Sequence, residues 1–152
     1  MGKRAAVVTG GSRGIGRAIV DRFLAEDVSV LTCGRGCRPA DLASEAAWLQ
    51  ADVSRTADAA RIVAAARERF GAVDILVNNA GVQIEKTVTE TTDEDWDLVM
   101  GINARGTFNM CRAILPGMEK TGGVIVNIGS ISGVVSDPRW RSTMHRRPSF
   151  IP

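Results

Sequence analysis

Short apolar runs alternate with longer amphipathic stretches over the first 128 residues. Ala5-Ala6-Val7-Val8 is continuously apolar and predicts a strand over about 5–9, buried on both faces. Ala18, Ile19, Val20, Phe23 and Leu24 recur at helical spacing and predict a helix over about 14–26. Val28-Ser29-Val30-Leu31-Thr32 is the second predicted strand, ended by Gly34-Arg35-Gly36. Pro39 is expected to open a short helix through about Ala47, and Trp48-Leu49-Gln50 is a weak third strand closing at Asp52. Ser54 is expected to cap the next helix, whose apolar face is Ala59, Ile62, Val63, Ala66 and Phe70, and Gly71 stops it. Val73-Asp74-Ile75-Leu76-Val77 is the fourth strand and runs into Asn78-Asn79-Ala80-Gly81. After a loop, Thr92-x-x-Asp95 resembles a capping box with Asp where Glu or Gln is usual. It starts a long helix through about Met118, with Trp96, Val99, Met100, Phe108, Cys111 and Leu115 expected on the apolar stripe. Pro116 is expected to end or kink that helix. Gly122-Gly123 turns into the fifth strand, Val124 to Ile128.

This alternation predicts an α/β fold, a parallel sheet with helices on both faces. After Val135 the periodicity fails. Residues 136–152 carry Pro138, Pro148 and Pro152 and are expected to be a disordered, non-native tail behind a domain of residues 1–135.

Composition narrows the class. The 152 residues suit one domain with a real core. At 45% apolar and 24% charged the chain is ordinary for a globular protein. No apolar run approaches the roughly 18–20 residues of a membrane span, and Met1-Gly2-Lys3-Arg4 leaves no room for a signal peptide. Cys33, Cys37 and Cys111 have no metal-ligand spacing and only one histidine, His145, for company, so they are read as free thiols in the cytoplasm. Of a formal net charge of +2, the tail contributes Arg139, Arg141, Arg146 and Arg147. What precedes those arginines is net acidic, which argues against a nucleic-acid surface.

The candidate chemistry lies in Thr9-Gly10-Gly11-Ser12-Arg13-Gly14-Ile15-Gly16, between the first strand and the first helix. Unpaired N–H groups and the macrodipole make a helix N-terminus favourable for an anion. Glycines allow the backbone to approach a phosphate without a Cβ in the way. The spacing T-G-x-x-x-G-x-G is neither G-x-G-x-x-G nor a P-loop, which needs Gly-Lys-Ser/Thr. A glycine turn alone also serves as a plain tight connection, but the flanking strand and helix favour a nucleotide site. A methyltransferase is disfavoured, because its G-x-G-x-G loop follows an acidic residue that this chain lacks.

Five motifs stand in order: Thr9-Gly10-x-x-x-Gly14-x-Gly16, Asp52-Val53, Asn78-Asn79-Ala80-Gly81, Asn103-Ala104-Arg105-Gly106 and Gly129-Ser130. With them, residues 3–135 resemble the N-terminal part of the short-chain dehydrogenase/reductase family. The chain is similar to its 3-oxoacyl-carrier-protein reductases and its sugar or polyol dehydrogenases. The resemblance implies a Rossmann-type doubly wound parallel sheet of about five strands, order 3-2-1-4-5, binding NAD(H) or NADP(H) at the strands' carboxyl ends. It also implies a small carbonyl or alcohol substrate and a family habit of homo-oligomers. Gly10, Gly14, Ile15 and Gly16 would pass the pyrophosphate to the helix, with Ser12 and Arg13 within reach of its oxygens. Asp52 would accept from the adenine amino group, and Val53 would supply a backbone N–H. Asn79, Ala80 and Gly81 would lie beside the adenosine ribose; the alternative for Asn78-Asn79 is a strand-ending turn.

An NAD site places an acid at the end of the second strand to accept from the ribose 2′-OH, and an Arg there accommodates a 2′-phosphate. Here that position is Gly34 and Arg35 follows, so NADP(H) is favoured over NAD(H); the alternative is that Arg35 is a solvated charge. The resemblance further assigns Ser130 to orienting the substrate oxygen and Asn103 to organising a proton-relay water. The family's general acid, the Tyr of Tyr-x-x-x-Lys, belongs near Thr143, yet the chain has no tyrosine and no lysine after Lys120. The chain is therefore expected to be truncated and inactive, with an exposed apolar edge at Val124 to Ile128. A non-catalytic dinucleotide-binding protein is the alternative. From about Trp140 the tail reads as a frameshift product: codons for Ser142 to Arg147, read one frame over, permit Tyr-x-Ala-Ser-Lys. A splice product or a genuine short isoform is the other origin.

Overall fold

Strands buried on both faces need nearly unbroken apolar sequence, and β1 (Ala5–Thr9) is buried at every position. The structure, a computed structural model, describes residues 3–130. Around β1 lie β2 (Ser29–Gly34), β3 (Ala47–Gln50), β4 (Ile75–Asn78) and β5 (Val124–Asn127), all parallel, in the order β3-β2-β1-β4-β5. This is the predicted order, and β1 and β4 run from the centre in opposite senses of connection.

Register places Val7, Leu31 and Leu76 side by side. On that face they pack with Ile62 of α2 (Thr56–Phe70) and with Met110 and Ile114 of α4 (Gly106–Thr121). Their neighbours Val8, Val30 and Val77 face the other way and meet Val20 of α1 (Gly14–Ala25), with Leu42 and Ala46. One helix on one face and two on the other make the sheet doubly wound, and all the strands' carboxyl ends point to one side.

Four local expectations are corrected. Residues 37–46 form turns, not a helix. Arg38 donates from Nη1 to the Ala46 carbonyl at 2.8 Å and from Nη2 to the Ala43 and Leu42 carbonyls at 2.7 and 3.2 Å, and these bonds wrap the loop around one side chain. Ser54 does not cap α2, which starts from Arg55 without a side-chain cap. The Ser54 hydroxyl and N–H both donate to Asp52 Oδ1 instead, at 2.7 and 2.9 Å. Pro116 does not end α4, which continues to Thr121. It lies on the exposed side, where water can meet the carbonyl left without a helical donor.

The fourth correction concerns the long helix. It is built as α3 (Asp93–Met100), a π-helical segment Gly101–Arg105, and α4. The capping box is present: Thr92 Oγ1 accepts from Asp95 N–H, and Asp95 accepts from Thr92 N–H. Of the expected stripe, Val99 is buried, but Trp96, Phe108 and Leu115 are 52%, 56% and 42% exposed. The buried face is one residue over, at Ile102, Asn103, Gly106, Asn109, Met110, Ile114 and Met118. Polar residues hide it from a hydrophobicity reading. Asn109 is buried because its Nδ2 donates to the Val53 and Ser54 carbonyls at 3.0 and 3.1 Å. Gly106 is needed because a Cβ there would stand 2.6 Å from Val53 Cγ2.

The fifth strand pairs only with β4 among the described residues, and Val124 and Val126 are exposed on it. Residues 131–152, with the expected boundary at 135, the displaced-frame tail and the Thr143 region, lie outside the described residues.

The corrected face has a direct consequence. Ile114→Ala should lose about 2–5 kcal/mol of stability, the cost of a core cavity. Leu115→Ala, one residue on, should stay within about 0.5 kcal/mol. Urea unfolding followed by circular dichroism checks this, and the reverse ranking would restore the stripe read from hydrophobicity.

Candidate functional site

The carboxyl ends of β1 and β4 are joined by one buried hydroxyl. Thr9 Oγ1 accepts from the N–H groups of Asn79 and Ala80, both at 3.0 Å, and donates to the Val77 carbonyl at 3.3 Å. Asn79 answers it: Nδ2 donates to the Thr9 and Gly10 carbonyls at 3.0 and 3.2 Å. This network fixes the first turn of the glycine loop against the end of β4. Gly10 and Gly14 adopt φ of +72° and +58°, which favour glycine. Gly10 and Gly16 pack directly on Asn79, with no space for a Cβ. Gly14 lines a cleft, and a Cβ there would meet nothing within 4 Å.

The N-terminus of α1 faces the same cleft. Its N-cap, Arg13, makes no side-chain cap, and no acidic residue stands in its first turn. By contrast α3 has its capping box and three acids, Asp93, Glu94 and Asp95, in its first turn. The positive end of α1 thus keeps its unpaired N–H groups for something outside the helix. Ile15, apolar and in that first turn, is 62% exposed over the cleft.

The cleft measures about 320 Å³, within the range of small-molecule sites. Gly10, Ser12, Arg13, Gly14, Ile15 and Gly16 line it from the loop, and Arg35 from the end of β2. Asp52 and Val53 line it from beyond β3, and Asn79, Ala80 and Gly81 from beyond β4. All the residues read as cofactor-binding therefore meet in one place. Cys33, Ala51, Val82 and Ile102 also line it, unforeseen because they carry no motif and act only as apolar or backbone wall.

Individual side chains show what each can offer. Asp52 Oδ1 is used by Ser54, while Oδ2 makes no hydrogen bond among the described residues. The backbone N–H of Asp52 donates to Asp58 Oδ2 at 2.8 Å, which holds the segment in place. Arg13 and Arg35 are exposed and make no ion pair among the described residues. Arg17, nearby in sequence, is committed to Asp21 at 3.0 Å and Asp41 at 3.3 Å. Cys33 lies behind Gly10; burial pushes its thiol up to about 12, against a smaller lowering by the Gly10 N–H. It is a wall residue without nucleophilic character.

Neither Asn103 nor Ser130 lines the cleft formed by the described residues. Asn103 is buried, and its amide closes on Val82, accepting from the N–H at 2.8 Å and donating to the carbonyl at 2.9 Å. That bracket holds the segment that leaves β4 against the π-helical segment. Ser130 follows β5 at the same end of the sheet.

A family model for short chain dehydrogenases matches residues 4–142. The chain is 41% identical over 148 residues to a 2-(R)-hydroxypropyl-CoM dehydrogenase of Xanthobacter autotrophicus, covering 89% of this chain and 59% of that one. It is 36% identical over 147 residues to an NADP-dependent (R)-specific alcohol dehydrogenase of Lentilactobacillus kefiri, covering 89% and 57%. A 3-ketoacyl-(acyl-carrier-protein) reductase from Brucella melitensis, solved in complex with NADH, superposes with a TM-score of 0.83 at 30% identity, covering 91% and 62%. The chain belongs to the short-chain dehydrogenase family, and it spans under two thirds of the length of these relatives.

The Thr9 network can be tested on stability. Thr9→Val keeps the shape but leaves the buried N–H of Asn79 and the half-buried N–H of Ala80 without an acceptor. A loss of about 2–4 kcal/mol is expected from two such groups. Urea unfolding measures it, and a loss under about 0.5 kcal/mol would contradict the role given to this hydroxyl.

Proposed function

We propose that this chain carries the dinucleotide half-site of an oxidoreductase that exchanges hydride between NADP(H) and a small carbonyl or alcohol. Carrying this reading is the convergence of four separated segments on one cleft at the uncapped N-terminus of α1. The cleft fits the group. Gly14, Ile15 and Gly16 bring the helix N-terminus to the cleft, where a pyrophosphate would lie, and Asp52 Oδ2 can accept from the adenine amino group. Val53, Asn79, Ala80 and Gly81 surround the place for the adenosine. When bound, the nicotinamide would supply the hydride donor or acceptor.

NADP(H) is favoured over NAD(H) on charge. Position 34, where a carboxylate would receive a ribose 2′-OH, is glycine, and the guanidinium groups of Arg13 and Arg35 stand at the cleft without acidic partners. Named relatives point both ways, one NADP-dependent and one solved with NADH. Asn103 is assigned to the catalytic region through its hold on Val82, and Ser130 to orienting a substrate oxygen. The domain is taken as residues 1–135 and its setting as the cytoplasm. No helix among the described residues is long and apolar enough to cross a membrane.

A second reading, dinucleotide binding without turnover, rests on the absence of tyrosine from the 152 residues. Incubation of the chain with NADPH and a panel of ketones tests the second reading: consumption of NADPH would overturn it, and binding by a monodisperse chain without consumption would support it. For the cofactor, Arg35→Ala should weaken NADP(H) by about 1.5–3 kcal/mol, the worth of a hydrogen bond to a charged group, and leave NAD(H) nearly unchanged. Isothermal titration with both nucleotides checks this, and equal losses for the two would remove Arg35 from the 2′-phosphate.

A further inference from the structure

Cofactor choice in this fold is read at the end of β2, but the residues that shape that end belong to β3. In the parallel register Trp48 stands opposite Thr32, and Gln50 stands opposite Gly34. Strand alternation sends both β3 side chains to the α1 face of the sheet. Neither residue lines the cleft.

Gly34 is not a glycine of conformational need, because its φ is not in the left-handed region. It is a glycine of space. A Cβ at position 34 would lie 2.8 Å from Trp48 Cη2 and 3.3 Å from Cζ2, inside ordinary carbon contact distance. The indole is partly buried. It packs on the cluster of Val8, Val20, Val30, Leu42, Ala46 and Val77. Leu42 and Ala46 come from the loop that Arg38 gathers, and Arg17 anchors that loop to α1 through Asp41. Gln50 acts on the next residue: its Nε2 donates to the Arg35 carbonyl at 2.8 Å.

We infer that β3 sets cofactor choice from behind the cleft: Trp48 denies position 34 a side chain, and Gln50 holds the backbone that presents Arg35. The inference rests on the dinucleotide reading of the cleft. It makes Trp48 and Gln50 positioning residues, and it states a barrier: an acid cannot enter position 34 to receive a ribose 2′-OH while the indole is there.

The test is a cycle in the full 152-residue chain: wild type, Gly34→Asp, Trp48→Val and the double variant, each titrated with NADPH and NADH and each melted. Gly34→Asp alone should melt lower and gain no NADH affinity. Added to Trp48→Val, it should gain roughly tenfold in NADH affinity, the worth of a hydrogen bond to a charged group. Gly34→Asp alone gaining NADH affinity with an unchanged melting temperature would overturn the inference. Should Gly34→Asp fail to fold, Gly34→Ala is melted in both backgrounds: a drop confined to the background with Trp48 intact supports the steric block, and equal drops overturn it. Gln50→Ala should lower NADPH affinity severalfold and leave NADH affinity unchanged; equal effects overturn its part. A wild-type chain that binds neither nucleotide would defeat the cleft reading instead, and the Gly34→Ala melts would still decide the role of Trp48.

Discussion

Everything at the cleft depends on Thr9. Its hydroxyl is buried at the junction of the two central strands and takes the first two N–H groups beyond β4. Without an acceptor there, the chain leaving β4 could not turn next to the glycine loop, because buried N–H groups must be paired. With it, Asn79 is placed to clasp the loop carbonyls, and Gly10 and Gly16 close directly upon Asn79. The cleft is thus preformed by polar contacts below it, and its mouth is left with uncapped helix N–H groups and open space.

Residues of one kind have been divided between construction and recognition. Arg17 is consumed by Asp21 of its own helix and by Asp41 of the β2–β3 connection, and Arg38 by three carbonyls of that connection. Arg13 and Arg35 have no ion pairs among the described residues and face the cleft. Asparagines divide similarly. Asn103 and Asn109 spend their amides on the backbones of Val82, Val53 and Ser54, the segments that form the cleft's walls. Such buried amides are satisfied on both sides, so they fix position without exposing a polar group to the core.

Much of this was legible in the amino-acid order. The strands announced themselves because parallel strands are apolar throughout, and the order 3-2-1-4-5 came with the family resemblance. Residues of the cleft were legible through the five motifs in order and the family they resemble, because the glycine turn, Asn78-Asn79 and Arg35 each have a plain structural reading when taken alone. Three features were hidden. Arg38 replaced an expected helix with turns through bonds that no periodicity records. Asn103, Gly106 and Asn109 made a buried helix face that does not score as hydrophobic, while Phe108 and Leu115 faced outward. Trp48 looked like a weak strand residue, and only the sheet register placed its ring over Gly34.

The central claim is that the cleft above Thr9 and Asn79 receives a nicotinamide dinucleotide. At 16.2 kDa the chain suits amide-resolved NMR. On titration with NADPH, the amide signals of Gly14, Ile15, Val53 and Ala80 should shift together, with a common saturation. Signals at Gly71, Gly117 and Thr121, which line a second cavity between α2 and α4, should stay in place. Shifts confined to that second cavity, or no saturable shift at the glycine loop, would contradict the account.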